Sequence, residues 1–139
     1  MVEKKKDANK AKVAREISKI WGGLESDQIA TLKEHVEITK YKKGEMIYQC
    51  DETPTDAMCL LTGKVKIFKD GINGKSQIIR VIKPNEFFGF RAYFANEIYK
   101  TAAQALDTCT VVHFPFPVLM KLLQKSYKIG YYFIKYLSV

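Results

Sequence analysis

The sequence pattern predicts a mainly β fold, a sandwich or barrel with flanking α-helices, on three observations. Between Val36 and Phe114 short apolar–polar alternations are broken by Gly, Pro and Asn-Gly at close intervals. Before and after that stretch the apolar residues recur at helical spacing instead. The chain also has 139 residues, 47% of them hydrophobic, enough to bury one core without disulfide staples.

In chain order, Val13, Ile17, Ile20 and Trp21 form a stripe that predicts a helix over about Asn9 to Trp21, closed by Gly22-Gly23. Ser26-Asp27 then starts a second short helix carrying Ile29 and Leu32. Strands follow at Glu37–Tyr41, Met46–Tyr48, Met58–Leu61 and Lys64–Phe68; in the last, Val65 and Ile67 share one face and Lys64 and Lys66 the other. Asp70-Gly71 and Asn73-Gly74 mark a hairpin, because these residue pairs tolerate positive φ. Gln77–Ile82 is the returning strand, Lys83-Pro84-Asn85-Glu86 breaks it, and Thr108–Phe114 is the last clear strand. Helix resumes with Pro117 in its first turn and Val118, Leu119, Leu122 and Leu123 as a buried stripe. A final helix carries Ile129, Tyr132, Phe133, Tyr136 and Leu137 on one face and runs to Ser138-Val139 without a stop signal, as if cut.

Composition narrows the function. No apolar run approaches the roughly 18 residues of a membrane span, and the charged start Met1–Lys6 is no secretory signal, so a cytoplasmic, membrane-free protein is expected. Cys50, Cys59 and Cys109 are odd in number and widely spaced, which fits a reducing compartment. The net charge of +8 invites a nucleic-acid reading, but much of it lies in the first twenty residues and in lysines scattered over strands. No Gly-rich phosphate loop, nucleophile elbow or dinucleotide fingerprint occurs, so no catalytic residues are assigned and a non-enzyme is expected.

Three stretches together resemble the Crp/Fnr family of transcriptional regulators, in its N-terminal cyclic-nucleotide-binding-like effector domain. Tyr41-Lys42-Lys43-Gly44-Glu45-Met46-Ile47-Tyr48-Gln49 is similar to the family's first hairpin, and Leu60-Leu61-Thr62-Gly63-Lys64-Val65-Lys66 to its strand-Gly-strand turn. Lys83-Pro84-Asn85-Glu86-Phe87-Phe88-Gly89 resembles the approach to its phosphate-binding cassette, and the likeness runs from about Trp21 to Leu137. It implies an eight-stranded jelly roll with flanking helices. It implies a helical segment over 1–23, the jelly roll over 24–125, and the start of a truncated dimerisation helix over 126–139. The partners implied are a small-molecule effector, a second copy of the chain through Ile129, Tyr132, Phe133, Tyr136 and Leu137, and DNA only through a helix-turn-helix module beyond this chain. Asn85 stands where the family commonly has Gly, and because Asn accepts left-handed φ the turn should survive. Cys50 stands where Gly often follows Gln, as a turn residue or a sensing thiol.

The same alignment puts the family's ribose-binding glutamate at Phe90, its phosphate-binding arginine at Lys100 and the adjacent hydroxyl residue at Thr101. A phenyl ring cannot accept a hydrogen bond from a ribose hydroxyl, an unpaired group worth roughly 1–3 kcal/mol when buried. Lysine lacks the two-pronged fork with which arginine holds a phosphate. Both changes argue against cyclic AMP or cyclic GMP. The expected effector site is Gly89, Phe90, Arg91, Ala92, Tyr93, Lys100 and Thr101, with Phe90 and Tyr93 as apolar walls and Arg91 and Lys100 supplying charge for a different, anionic or flat molecule. Alternatively, the aromatics fill the old cavity.

Three rivals share the fold class. A cupin-like metalloenzyme needs several histidines and an acid around a metal, whereas this chain has only His35 and His113, and no metal ligands are assigned. An iron–sulfur sensor needs closely spaced cysteines, which the N-terminal region lacks. Haem, beside it, stays open as a cofactor, since a His, Cys or Met could ligate it; otherwise none is expected. The third rival is a purely structural or partner-binding domain that docks another chain through Tyr132, Phe133 and Tyr136.

Overall fold

A computed structural model describes residues 2–138, the side chains of residues 2–8 and of Ile72 excepted. The chain divides into two compact units, one made of the residues up to Glu37 with those from Phe114 onward, the other Ile38–His113. The expected segmentation had instead placed residues 24–37 and 114–125 with the jelly roll. Contacts between helices from the two ends of the chain draw those segments together.

The helical unit begins with α1 (Val2–Ile20), longer than the apolar stripe alone predicts because Glu3, Lys4, Lys5, Lys6 and Ala8 before Asn9 are good helix formers. Val13, Ala14 and Ile17 bury its inner face. Gly22 and Gly23, both near φ +94°, end it, and the Gly23 amide returns to the Ser18 carbonyl at 2.7 Å. The Ser18 hydroxyl accepts the Leu24 amide at 2.7 Å, so this buried polar group is satisfied. Helix α2 (Ser26–His35) is capped by Glu25, whose amide donates to Gln28 Oε1 at 3.1 Å in a reciprocal box.

Two helices, here α4 (Phe116–Lys125) and α5 (Tyr127–Leu137), complete this unit. The face of α5 expected to meet a second chain is largely spent inside its own. Ile129 and Phe133 are 0% and 2% exposed, Tyr132 and Tyr136 are half-buried, and only Leu137 is open. Trp21 draws that face inward, its ring 6.1 Å from Phe133 and 5.8 Å from Phe114. The stripe left in solvent is Tyr127, Tyr131 and Ile134, a turn apart along the helix.

Eight strands make two four-stranded antiparallel sheets, which is the expected jelly-roll arrangement: β1 (Glu37–Tyr41), β8 (Cys109–Pro115), β3 (Asp56–Thr62) and β6 (Phe87–Phe88) in one, and β2 (Met46–Tyr48), β7 (Ala102–Ala105), β4 (Val65–Asp70) and β5 (Ser76–Ile82) in the other. Met58, Leu60 and Val111 from the first sheet meet Val65, Ala103 and Ala105 from the second in one core. Alternation in β4 and β5 sets their register, Val65 opposite Ile82 and Ile67 opposite Arg80. Asn73 and Gly74, both at φ +72°, turn the hairpin between them. Asn85 adopts φ +71° as expected, and its amide donates to the Leu60 carbonyl at 2.7 Å. Gly63, at φ +96°, has no room for a side chain: a Cβ there would lie 2.5 Å from Cβ of Cys109. Cys50 is exposed, and the left-handed residue of its turn is Asp51, at φ +74°.

Strand β7 went unseen in the sequence because Ala-Ala-Gln-Ala has no strand propensity of its own. Pairing on both sides, to β2 and to β4, forms it, and its small side chains bury completely enough to close the core. Among the described residues no helix is long and apolar enough to cross a membrane.

The two histidines differ in setting. His35 is exposed in the last turn of α2. His113, on β8, bonds through Nδ1 to the Asp56 carboxylate and through Nε2 to the Tyr41 hydroxyl at 2.9 Å. Thr55 donates to the same carboxylate at 2.5 Å. Burial alone would raise the Asp56 pKa, but the bonds from His113 and Thr55 and the attraction to His113 outweigh it, and the carboxyl sits below its usual value. A lowered folded-state pKa stabilises the fold above the ordinary carboxylate range, and that contribution is lost as pH falls through the folded value. Chemical denaturation followed by circular dichroism should therefore show stability declining below about pH 4, with a shallower decline for Asp56→Asn. An unchanged acid limb in that variant would disprove the role of the carboxylate.

Candidate functional site

The cavity forms where β6 gives way to a one-turn helix, α3 (Arg91–Phe94), and the chain then loops back toward β7. Its pivot is Gly89. This residue stands at φ +78°, and a Cβ there would meet Cε of Met58 at 2.1 Å and the Tyr99 hydroxyl at 3.2 Å. The Tyr99 hydroxyl donates to the Gly89 carbonyl at 2.7 Å, and its ring stacks on Tyr48 with centroids 3.9 Å apart. The Tyr48 hydroxyl reaches toward Thr101 Oγ1 at 3.5 Å. A single glycine thus lets three strands and a loop converge on one aromatic pair.

The resulting cavity has a volume of about 310 Å³. Ile67, Ile82, Phe88 and Phe90 give it apolar walls beside the stacked tyrosines, so the aromatics line the space rather than fill it. Three cationic side chains, Arg80, Arg91 and Lys100, reach it, with one carboxylate, Glu97, among the lining groups. Lys100 is 69% exposed and bound to Glu97 at 3.2 Å within its own loop. Arg80 is half-buried and bound to Glu86 at 2.7 Å.

Of the expected site residues, Gly89, Phe90, Arg91, Ala92, Lys100 and Thr101 all line the cavity. Tyr93 does not. In the single turn of α3 its ring packs edge-on against Phe94 at 5.6 Å, so it is not the second apolar wall. Phe90, at the position expected for a ribose-binding acid, is 1% exposed and part of the wall. Sequence reasoning missed Arg80, Tyr48 and Tyr99. The signal for Arg80 was the one charge in Ile78-Ile79-Arg80-Val81-Ile82, two residues from the inward-facing Ile82.

Burial raises the pKa of Tyr48, with Thr101 working weakly the other way, and it raises that of Tyr99 further, helped by the neighbouring Tyr48, Asp56 and Glu52. Both phenols stay protonated at neutral pH, Tyr99 as a fixed donor, and neither offers a phenolate nucleophile. Burial also pushes the Cys59 thiol up to about 12 and raises that of Cys109, which leaves both unreactive. The arrangement can enclose a small apolar body and attract an anion to its rim.

A family model described as the cyclic nucleotide-binding domain matches residues 38–126. Over 71 residues the chain is 33% identical to an uncharacterised protein of Haemophilus influenzae, covering 51% of this chain and 55% of that one. Over 81 residues it is 31% identical to the transcriptional activator protein FnrA of Stutzerimonas stutzeri, covering 58% and 33% respectively. The crystal structure of the catabolite activator protein of Thermus thermophilus aligns with a TM-score of 0.74 at 15% identity, over 85% of this chain and 55% of that one. The chain therefore spans between 33% and 55% of the length of these curated relatives.

Substitution Tyr99→Phe should keep the stacked ring but leave the Gly89 carbonyl without its donor, destabilising the fold by about 1 kcal/mol. Gly89→Ala should cost more, since the added methyl meets both a left-handed backbone and Met58. Urea denaturation of the two variants checks that order, and the reverse order would contradict the role given to Gly89.

Proposed function

The chain belongs to the cyclic nucleotide-binding domain family, with Crp/Fnr transcriptional regulators among its relatives, and from that premise we propose that it senses a small-molecule effector other than a cyclic nucleotide. The single observation that carries this reading is Phe90, buried in the cavity wall where the family resemblance puts the acid that holds a ribose. Lys100 agrees with it, standing where the resemblance puts an arginine and lying largely in solvent, paired to Glu97. A regulatory rather than catalytic role agrees with the family and with phenols held protonated in the cavity.

In this reading the effector's occupancy is passed to a second copy of the chain and onward to a DNA-binding module outside it. The outward stripe of α5, Tyr127, Tyr131 and Ile134, is the surface that supports such pairing, because three large apolar groups a turn apart are exposed there. Haem on the same fold is the alternative ligand, and the apolar walls favour it only in so far as they suit any flat molecule.

Calorimetry with cyclic AMP tests the first part. Loss of the acid and of the fork, each worth roughly 1–3 kcal/mol, puts binding at least about 30-fold below that of a site retaining both, and Phe90→Glu combined with Lys100→Arg should recover part of it. Micromolar binding by the unaltered chain would overturn the proposal. Sedimentation equilibrium tests the second part: weak self-association is expected, and Ile134→Glu should abolish it. A strict monomer at high concentration would remove the α5 interface.

A further inference from the structure

Resting on the reading of this cavity as an effector site, we infer that Arg80 is the residue that recognises the ligand and that the ligand class is a flat, single-ring carboxylate. The three cations at the cavity are not equivalent. Lys100 is 69% exposed on a flexible stem and already bound within its loop, so water screens most of its pull. Arg91 is exposed on the one-turn helix α3. Arg80 alone of the three sits in a paired strand, opposite Ile67 of β4, so its backbone is held by a ladder of hydrogen bonds.

The guanidinium of Arg80 is held as well. Its Nη2 donates to Oε2 of Glu86 at 2.7 Å, and Oε1 of that carboxylate accepts the Lys83 amide at 2.8 Å. Glu86 is thereby anchored to its own turn and orients Arg80 through one nitrogen. A guanidinium carries five N–H donors in a planar fork, so the remaining edge is available to a second carboxylate. With 34% of its side chain exposed, Arg80 is screened less than Lys100.

Wall chemistry and size then set the class. The walls beside Arg80 are Ile67, Ile79, Ile82, Phe88 and Phe90, with the stacked Tyr48–Tyr99 pair. They offer apolar area and ring faces but few hydrogen bonds, which suits an apolar ring and not a sugar. A volume of about 310 Å³ lies at the low end of ligand clefts, which run from about 300 to 1,000 Å³, and favours one ring over several.

The test is NMR titration of the intact chain with benzoate, benzamide and inorganic phosphate, observing the Arg80 Nε–Hε resonance and the amides of Gly89, Phe90 and Thr101. Benzoate is expected to shift all four, with benzamide and phosphate each at least about 10-fold weaker, because a charge-assisted bond and an apolar wall are both needed. Arg80→Gln should weaken benzoate about 10-fold or more, and Lys100→Gln by less than about 3-fold. The Arg80 resonance in the unaltered chain gives the same answer should Arg80→Gln misfold. Equal binding of benzamide, or benzoate shifts at Gly89 and Phe90 that persist in Arg80→Gln, overturns the assignment to Arg80 while the cavity remains a ligand site. Tighter binding of phosphate than of benzoate overturns the ligand class. No shift at Gly89, Phe90 or Thr101 with any probe overturns both the inference and the cavity reading.

Discussion

Gly89 is the position on which the geometry of the cavity turns. Its backbone is left-handed, and Met58 occupies the space a Cβ would need. The chain can therefore leave β6, close against β3, and enter α3 within two residues, carrying Phe90 into the wall and Arg91 to the rim. The carbonyl freed by that turn accepts the Tyr99 hydroxyl, and Tyr99 in turn stacks on Tyr48 from β2. Elements far apart in the chain are thus tied to a single carbonyl. The aromatic pair adds area and rigidity without adding charge, since both phenols remain neutral.

Around that apolar centre the charges are arranged at the edge and paired locally. Lys100 with Glu97 and Arg80 with Glu86 each lie within a single turn or strand end. Such pairs contribute little to stability when exposed, and in the proposed function their value lies in what they do to a ligand. A carboxylate that already holds a guanidinium defines the plane in which a second one can bind. In the proposed function a pocket with Phe90 at its wall selects against a sugar in the same way, by withholding the acceptor a buried hydroxyl needs.

The jelly roll also contains a second polar cluster, Tyr41, His113, Asp56 and Thr55, linking β1, β8 and β3 in one sheet. Here the half-buried carboxylate is satisfied from two sides, and those bonds outweigh the upward push of burial on its pKa. This accounts for His113 as a structural residue with definite partners. The helical unit follows the simpler rule that the most apolar stripe is used within the chain: Trp21 gathers Phe114 and Phe133.

Local signals in the sequence carried the strand positions, several to the residue, as in Glu37–Tyr41 and Met46–Tyr48. Six of the seven site residues that the family resemblance implied line the cavity, while local signals carried the Asn73-Gly74 hairpin and the left-handed Asn85. Each depends on φ preference, two-residue alternation or spacing along one segment, which neighbouring residues settle among themselves. Tertiary structure decided the rest. Ala102–Ala105 became a strand only by lying between β2 and β4, Tyr93 turned from the cavity to Phe94, and α5 turned Ile129 and Phe133 inward. Arg80 and Tyr99 entered the site through partners on other segments. Which way a side chain faces, and what it meets there, is set by long-range pairing that no single stretch of chain encodes.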